Sequence, residues 1–284
     1  MGPHGHKLAK RPHPRRLSPI LPLIINMKAT PYTGPKRPKE KSLLIGWHPV
    51  FDALEAGQAI DRILMSREDR NERSGDLLGL AKSARIPLLR VPRAKLDKLT
   101  LKNHQGLVAF TSPIDYQPID ELIAGAWEAG KTPHFVVVDG VTDVRNIGAI
   151  ARSAECFSMT GLVVPFSGVA PLREDAIKSS SGALLRIPVA RMESIDECIH
   201  FLHKNGFQTI GLSEKAETDL QSFRSQGPTA WILGDEGEGL SEGSLRLCNT
   251  LVRIPMTGTT GSLNVSVAAG ITLHHHMNTR VETD

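Results

Sequence analysis

The chain has 284 residues, enough for one or two domains. Its apolar content of 40% and charged content of 23% are ordinary for a globular protein, and aromatic residues at 5% leave a core that must be mostly aliphatic. No apolar run reaches the ~18 residues needed to cross a bilayer. Cys156, Cys198 and Cys248 lie far apart and form no C-x-x-C pair, which argues against a disulfide framework or a zinc site and fits a reducing cytoplasm.

The N-terminal segment carries the basic character of the chain. Residues 1–41 contain ten Lys and Arg residues and one acidic residue, Glu40, whereas the rest of the chain has a net charge of −5. The same segment contains eight of the nineteen prolines. We interpret residues 1–41 as a disordered, basic, Pro-rich tail. Its four clustered cations either touch RNA phosphates or form an ordinary solvated tail. These cations are Lys10, Arg11, Arg15 and Arg16.

The same segment does not read as a secretory signal. Ile20–Ile25 is short, is broken by Pro22 and lacks a cleavage site of small residues downstream. An alternative is that translation begins at Met27, which leaves the role of the upstream residues open.

Residues 42–112 predict a small α/β domain, because short apolar runs alternate there with amphipathic segments. The predicted strands are Leu43–Ile45, Ile63–Met65, Leu88–Val91 and Leu107–Phe110, and the predicted helices are Pro49–Ala56, Leu77–Ala84 and Ala94–Leu99. The turn His104–Gly106 precedes the last strand. Its polar side chains either face a partner or only cap and turn the chain.

The rest of the chain predicts a linker and a second α/β domain. Residues 113–133 contain three prolines and one amphipathic segment, Ile119–Trp127, and we interpret them as a linker with one helix. Residues 134–284 alternate strands and helices, which predicts a mainly parallel sheet covered by helices. The strands are Phe135–Val138, Leu162–Val164, Leu185–Val189, Phe207–Leu212, Ala230–Leu233 and Thr250–Ile254; the helices are Ile147–Phe157, Glu174–Ser180, Ile195–Asn205, Leu240–Cys248 and Leu263–His276.

The stretch Trp231–Leu273 predicts a small-molecule site. Two of the predicted strands, Ala230–Leu233 and Thr250–Ile254, each stop at a turn rich in Gly or Thr that runs on into helical sequence. Ligands of open α/β sheets bind beyond the carboxyl ends of the strands. The glycines let backbone N–H and C=O groups approach such a ligand closely.

Common catalytic and nucleotide-binding motifs are absent from the sequence. No G-x-G-x-x-G follows Phe135–Val138, and the chain has neither a G-x-x-x-x-G-K-[ST] loop nor a G-x-S-x-G elbow. These absences exclude the usual dinucleotide fold, the P-loop hydrolases and the α/β-hydrolases. His274–His276 point in different directions on a helix and make a poor metal chelate, so we expect them to be exposed or interfacial.

Three polar segments remain, and each has a plain structural interpretation when taken alone. In Asn146–Ala154, Asn146 stands where a helix N-cap is expected and Arg152 follows six residues later. Leu233–Leu240 is a Gly-rich acidic loop, and Ile254–Ser266 leads from a strand into a helix. The plain interpretations are a cap with a surface arginine, a solvated acidic loop and an ordinary connection.

In this order and spacing, the three segments closely resemble the three motifs of the SpoU/TrmH family of RNA ribose 2'-O-methyltransferases, part of the SPOUT class. The resemblance covers essentially Ser42 to the C-terminus and includes Gly46–Val50 and His104–Gly106. It implies an α/β SPOUT domain with a mainly parallel sheet and a trefoil knot, preceded by a small L30e-like substrate-binding domain. It also implies a homodimer, RNA as the substrate and S-adenosylmethionine (AdoMet) as the cofactor, without a metal or a membrane.

The resemblance also assigns residues. The family's AdoMet pocket matches Leu233, Gly234, Ile254, Met256, Ser262 and Leu263. Its polar positions for catalysis or RNA placement match Asn146, Arg152, Glu236, Ser262 and Asn264. No motif residue departs from the family pattern, which speaks against an inactive homologue.

Arg152 has two alternative roles, that of a base and that of a fixed cation. Because an arginine side chain is almost never neutral in a protein, the role of a base needs an extreme pKa shift. We favour a fixed cation that holds an adjacent phosphate and stabilises the developing ribose oxyanion. Asn146 then orients Arg152 or the ribose, and Glu236 holds the network in register.

The two-domain layout most resembles the branch of this family that modifies a guanosine of large-subunit ribosomal RNA, and this resemblance implies such a guanosine as the substrate. The alternatives are a transfer-RNA ribose methyltransferase and a non-catalytic RNA-binding factor for ribosome assembly. Since the part of the chain after residue 41 is acidic overall, RNA contacts must come from local basic groups. We expect these groups in the tail, in Arg67–Arg73, in Arg85–Lys102 and across a dimer interface.

Overall fold

The computed structural model describes residues 42–69 and 72–280, which form two α/β domains with one sheet each. The predicted tail, its basic cluster and Met27 lie outside the described residues. In the described ranges, no helix is both long and apolar enough to cross a membrane.

The small N-terminal domain has a four-stranded sheet in the order β1-β4-β2-β3. Strand β4 pairs antiparallel with β1 and β2, and β2 pairs parallel with β3. The strands are β1 Leu43–Ile45, β2 Ile60–Ser66, β3 Leu88–Val91 and β4 Leu107–Thr111; the helices are α1 Trp47–Glu55, α2 Glu72–Ser83 and α3 Arg93–Asp97. Helices α1 and α2 cover one face of the sheet and α3 covers the other, so the domain has a core on each side.

The larger sheet has eight strands in the order β10-β12-β9-β11-β6-β7-β8-β5, and every neighbouring pair is parallel. The strands are β5 Tyr116–Gln117, β6 His134–Val138, β7 Gly161–Pro165, β8 Val189–Met192, β9 Gln208–Leu212, β10 Thr218–Asp219, β11 Thr229–Leu233 and β12 Thr250–Arg253. Because all the strands run the same way, their carboxyl ends meet at one edge. The predicted parallel α/β fold is therefore confirmed, whereas the trefoil knot stays a prediction.

Helices cover both faces of the larger sheet. The helices are α4 Ile119–Glu128, α5 Val144–Cys156, α6 Glu174–Ser179, α7 Ile195–Lys204, α8 Glu242–Leu247 and α9 Val265–Thr279. Strand β6 shows why two layers form: Val136 and Val138 pack with α5 and α9, while Phe135 and Val137 pack with α4 and α7. A central parallel strand is buried on both faces and so reads as a continuous apolar run.

Two stretches differ from their predicted structure. The strand predicted at Leu185–Val189 is wrong in its bounds: residues 183–185 form a 3₁₀ turn and the strand runs from Val189 to Met192. The pattern misses this strand because it contains Arg191, a charged residue that is nevertheless buried. Residues 113–133, predicted as a linker with one helix, carry β5 and α4, which pair with and pack on the larger sheet. The domain boundaries themselves stay a prediction.

The prediction of exposed or interfacial histidines at the C-terminus is wrong for His276. His274 is exposed, but His276 is buried against the rings of His134 and Trp231, and its Nδ1 lies 2.9 Å from the Ser225 hydroxyl. The three side chains differ because α9 buries only one of its faces. Burial lowers the pKa of His276 to about 3 and that of His134 to about 4, with a further contribution from Arg280 to both.

We expect this histidine pair to make the protein less stable in weak acid. The folded chain keeps both rings neutral, whereas the unfolded chain takes up two protons below pH 6.5, the ordinary pKa of histidine. Stability is therefore full above pH 6.5 and falls as the pH drops toward about 4, by roughly 1.4 kcal/mol per pH unit for each ring. Urea unfolding between pH 7.5 and pH 5 measures this slope. His276→Asn should reduce the slope, whereas His274→Asn, on the exposed face, should leave it unchanged; equal slopes in all three proteins would contradict the assignment.

Candidate active site

A cavity of about 430 Å³ opens at the edge of the larger sheet where β9, β11 and β12 end. This volume falls within the range of small-molecule sites, about 300–1,000 Å³. The loops after the three strands and the beginning of α9 form its walls. The cavity therefore lies where the strand pattern of the sequence predicts a ligand site.

All six residues predicted to bind a cofactor line this cavity, together with Glu236. They are Leu233, Gly234, Ile254, Met256, Ser262 and Leu263. The prediction missed Leu212, the last residue of β9, and Ser213, Glu214 and Lys215, which follow it; all four line the cavity. The rule that ligands bind beyond strand ends applies to the predicted strand Phe207–Leu212 as well, so this signal was present in the sequence.

The Gly-rich loop after β11 folds back tightly on itself. The backbones of Asp235 and Gly239 exchange two hydrogen bonds of 3.0 Å, and the Asp235 carboxylate accepts one of 2.8 Å from the backbone of Gly237. A β-carbon on Gly234 would overlap the backbone of Gly239 and Leu240. Glycine at position 234 is thus required by the close approach of two chain segments.

A buried carboxylate ties this loop to the neighbouring strand. Asp139, directly after β6, accepts hydrogen bonds from the Ser241 backbone at 2.8 Å and the Ser244 hydroxyl at 2.7 Å. Ser241 in turn caps α8 by accepting from the Ser244 backbone. The far end of the loop is therefore held by β6 and α8 together.

Three of the predicted polar residues meet beside the cavity. The Asn264 amide donates to the side-chain oxygen of Asn146 at 3.1 Å and to the Glu236 carboxylate. Its oxygen accepts from the backbone of Ser266 at 3.0 Å and caps α9. Asn146 is 8% exposed, whereas Glu236 and Asn264 are exposed. One asparagine thus links the acidic loop, α5 and the beginning of α9.

The prediction that Asn146 is a helix N-cap is wrong. Helix α5 begins at Val144, two residues before Asn146, and Asp143 caps it by accepting from the Arg145 backbone at 2.8 Å. Hydrogen bonds from Arg145 hold the pKa of Asp143 below its ordinary value. Because the cap lies at Asp143, the Asn146 side chain is available for its contact with Asn264.

Arg152 lies apart from these three residues. Six positions along an α-helix correspond to about 9 Å along the axis and about 120° around it, so Arg152 does not share the face of Asn146. Its guanidinium is exposed and donates to the Ser181 hydroxyl at 3.2 Å. The structure therefore supports no contact by which Asn146 would orient Arg152, and the alternative in which Asn146 orients the ribose stays a prediction.

The charges around the cavity favour a cationic ligand with an apolar part. Four carboxylates, those of Glu214, Asp235, Glu236 and Glu238, line it against the single ammonium group of Lys215. Leucine and isoleucine side chains from all three strand ends supply an apolar wall. Within the described ranges, no group of three or more His, Cys, Asp or Glu side chains is placed to hold a metal ion.

His104 has a structural role in the turn His104–Gly106. The ring is 4% exposed, with Nε2 lying 2.8 Å from the Asp97 carboxylate and Nδ1 accepting from the Gly106 backbone at 3.0 Å. The Gln105 carbonyl accepts from the Trp47 indole at 2.9 Å. The structure therefore supports the interpretation that His104 caps and turns the chain. The Gln105 side chain is exposed, so the interpretation that it faces a partner stays open.

Comparison with known proteins gives consistent matches over both domains. The SpoU rRNA Methylase family matches residues 133–274, and the family of RNA 2'-O ribose methyltransferase substrate-binding domains matches residues 43–117. A protein of Staphylococcus saprophyticus assigned to the TrmH family of tRNA/rRNA methyltransferases is 31% identical over 83% of this chain and 94% of its own length. An uncharacterized tRNA/rRNA methyltransferase of Mycobacterium avium is 34% identical over 92% of this chain and 84% of its own length.

Solved structures with a bound cofactor are among the matches. The SpoU methyltransferase AviRb from Streptomyces viridochromogenes, crystallised in complex with AdoMet, matches with a TM-score of 0.52 at 25% identity and covers 83% of this chain and 89% of its own. The same enzyme matches in a second crystal structure with a TM-score of 0.53.

Proposed function

The chain belongs to the SpoU family of RNA methyltransferases, and from this premise we propose that it methylates the ribose 2'-hydroxyl of a guanosine in large-subunit ribosomal RNA, with AdoMet as the methyl donor. The observation that carries the proposal is the polar cluster of Asn146, Glu236 and Asn264 beside a cavity of about 430 Å³. Because ribosomal RNA is modified where ribosomes assemble, we place the reaction in the cytoplasm.

The cavity fits AdoMet in size and in chemistry. Its leucine and isoleucine wall would suit the flat adenine ring, and the loop after Gly234, which lines the cavity, would help to hold the cofactor. The four carboxylates suit a ligand with a sulfonium and an ammonium group. When bound, AdoMet supplies an electrophilic methyl group for an in-line displacement.

The residues of this chain have two tasks, alignment and removal of a proton. Alignment alone contributes several kcal/mol to such a displacement. We assign alignment of the ribose to Asn146, held by Asn264. We assign to Glu236, which is exposed, the tasks of holding this network and of passing the proton of the 2'-hydroxyl to solvent. Arg152 stabilises the ribose oxyanion and an adjacent phosphate as a fixed cation.

Asn264 offers a test of this network that is separable from folding. Asn264→Asp keeps the oxygen that caps α9 but replaces the donor that faces Glu236 with a second negative charge. Since Asp and Asn cap helices equally well, we expect a smaller loss of melting temperature than in Asn264→Ala, and a turnover lower by about 10–100-fold, the value of a hydrogen bond to a charged group. Asn264→Ala should lower both quantities. Normal turnover of Asn264→Asp would show that Asn264 is only a cap.

A basic surface on the small domain supports RNA as the partner. Arg67, Arg90, Arg93, Lys95 and Lys98 are all exposed and lie on or beside β3 and α3. These residues fall in the two basic stretches that we predict to contact phosphates, and clustered cations of this kind bind RNA despite an acidic average. The small domain therefore binds the RNA while the larger domain holds the methyl donor.

We also propose a homodimer formed through α9. Val267 and Ile271 lie four positions apart on this helix and so share one face, where they are 51% and 41% exposed and form an apolar stripe of the kind that marks interfaces. Helix α5 packs beside α9 and carries exposed Arg152. In such a dimer Arg152 lies near the interface and serves the cavity of the other copy. Ile271→Glu should yield monomers in light scattering, whereas a monomeric wild-type protein would contradict the dimer.

The function is tested by the RNA that receives the methyl group. The protein is incubated with labelled AdoMet and RNA from a strain that lacks the gene, and the ribosomal and transfer RNA fractions are separated. We expect label in large-subunit ribosomal RNA, on the ribose of a guanosine. Label in transfer RNA alone would support the second candidate, a transfer-RNA ribose methyltransferase, which the names of the tRNA/rRNA methyltransferase relatives also include. Binding of AdoMet without label in either fraction would favour an assembly factor.

A further inference from the structure

A buried ionic cluster joins the two domains. Asp61 on β2 of the small domain is 4% exposed, and both of its carboxylate oxygens are bound by arginines of the larger domain. Arg191 on β8 donates to Oδ1 at 2.6 Å, and Arg173, just before α6, donates to Oδ2 at 2.8 Å. Arg191 also donates to the backbone carbonyl of Asp61 at 2.6 Å. Three hydrogen bonds that diverge from one residue fix both a position and an angle.

Aromatic rings reinforce this cluster on each side. The Arg191 guanidinium lies 3.5 Å from the centre of the Tyr116 ring on β5 and donates to the hydroxyl of Tyr116 at 2.6 Å. The Arg173 guanidinium lies 4.2 Å from the centre of the Phe110 ring on β4. Arginine is suited to such sites because its planar group stacks and donates in fixed directions. The pKa of Asp61 is below its ordinary value: burial would raise it, and the charges of Arg191 and Arg173 more than offset that effect.

The cluster differs from the cores that hold each domain together. The two cores of the small domain come from its own strands and helices, and the two cores of the larger domain come from residues 114 onward. A buried ion pair contributes less to stability than apolar packing does, but it penalises every arrangement that leaves a charge unpaired. Such a pair therefore selects one arrangement of two domains that each have cores of their own.

We propose that Asp61 is a positioning residue, which through Arg191 and Arg173 fixes the angle at which the small domain presents RNA to the cavity. This inference rests on the proposed function for its consequence, because the angle matters only if the two domains act on one RNA. Loss of Asp61 leaves the basic surface of the small domain and the cavity intact. It lowers the fraction of bound RNA that lies in reach of the methyl donor.

The test compares three variants of the full-length protein. Asp61→Asn removes the charge that Arg191 needs, and it leaves that arginine buried and unpaired. Asp61→Asn with Arg191→Met removes both buried charges, an exchange that is often neutral for stability, and so separates misfolding from misorientation. Asp120→Asn is the matched control, because Asp120 and Arg85 form an exposed ion pair, 3.6 Å apart, between α4 and the small domain, and exposed pairs contribute little.

The first readout is the distance distribution between spin labels on cysteines that replace Lys82 on α2 and Lys204 on α7. The other exposed or half-buried cysteines, Cys156 and Cys248, are replaced by serine, and unlabelled chains are added in excess so that pairs within one chain dominate. We expect a broader distribution in both Asp61 variants and no change in Asp120→Asn. A distribution as narrow as that of the wild type in the double variant would overturn the proposal.

The second readout separates binding from turnover. With the RNA that the wild type methylates, we expect the double variant to keep the wild-type melting temperature, AdoMet affinity and KM for RNA, while kcat falls about tenfold or more as the competent fraction falls. An unchanged kcat together with a broadened distribution would show that the angle does not matter for the reaction, and would also overturn the proposal. If the wild type methylates no RNA, the proposed function fails, while the distance measurement still decides whether Asp61 fixes the angle.

Discussion

Replacing Gly234 with alanine should weaken AdoMet binding by about 10–100-fold while the protein stays folded. The added methyl group would overlap the backbone of Gly239 and Leu240, and neither segment has a flexible side-chain end there that can move away. Asp139 and α8 hold the far end of the loop, so the strain must open the loop at the cavity. A cost of about 1–3 kcal/mol for overpacking corresponds to a loss of affinity of about 10–100-fold.

The measurement is titration calorimetry with AdoMet, beside a thermal melt of each protein. Gly258→Ala is a suitable control, because it lies in the loop before α9 and a β-carbon there meets no atom within 4 Å. It should bind AdoMet as the wild type does. If Gly234→Ala bound AdoMet normally and melted normally, the close approach of the two segments would not shape the cofactor site.

The position of the site was predictable because it depends on strand order and direction alone. Continuous apolar runs such as Phe135–Val138 indicate central parallel strands, and parallel strands bring their carboxyl ends to one edge. Strand β11 ends at Leu233 and β12 ends at Arg253, and the residues that follow both strands line the cavity. The position of the cavity could therefore be predicted from the strand ends, although the sequence contains none of the common motifs that would identify its ligand.

Three features were not predictable, because each depends on partners far away in the chain. Arg191 is buried in a strand only because Asp61 lies against it, 130 positions away in the sequence. His276 is buried because β6 and β11 pack against one face of α9, which a run of three histidines does not reveal. Asn146 is not the cap of α5, because Asp143 caps this helix. Polar residues stand at both positions, and the sequence pattern does not show which of the two is the cap.

Replacing Arg152 with alanine should lower the methylation rate by about 10²–10³-fold, the cost of removing one fixed group that stabilises an oxyanion. The affinity for AdoMet should not change, because Arg152 does not line the cavity of its own chain. Arg152→Lys should recover only part of the rate, since an ammonium group cannot make the planar, two-point contact of a guanidinium. Single-turnover kinetics at saturating AdoMet measures the rates. Near-normal turnover of Arg152→Lys would show that charge alone is required.

The same variant decides whether Arg152 serves its own cavity or that of the partner copy. Its guanidinium contacts Ser181 and its helix face differs from that of Asn146, whereas its helix packs beside the apolar stripe of α9. We expect mixed dimers of Arg152→Ala and Gly234→Ala chains, purified through two different tags and assayed at an AdoMet concentration near the wild-type Kd, to regain about half of the wild-type activity. In such a dimer the Arg152→Ala chain keeps an intact cavity and receives Arg152 from its partner. If Arg152 acts within its own chain, one site lacks the cation and the other lacks the cofactor, so the mixed dimers must be as inactive as either parent.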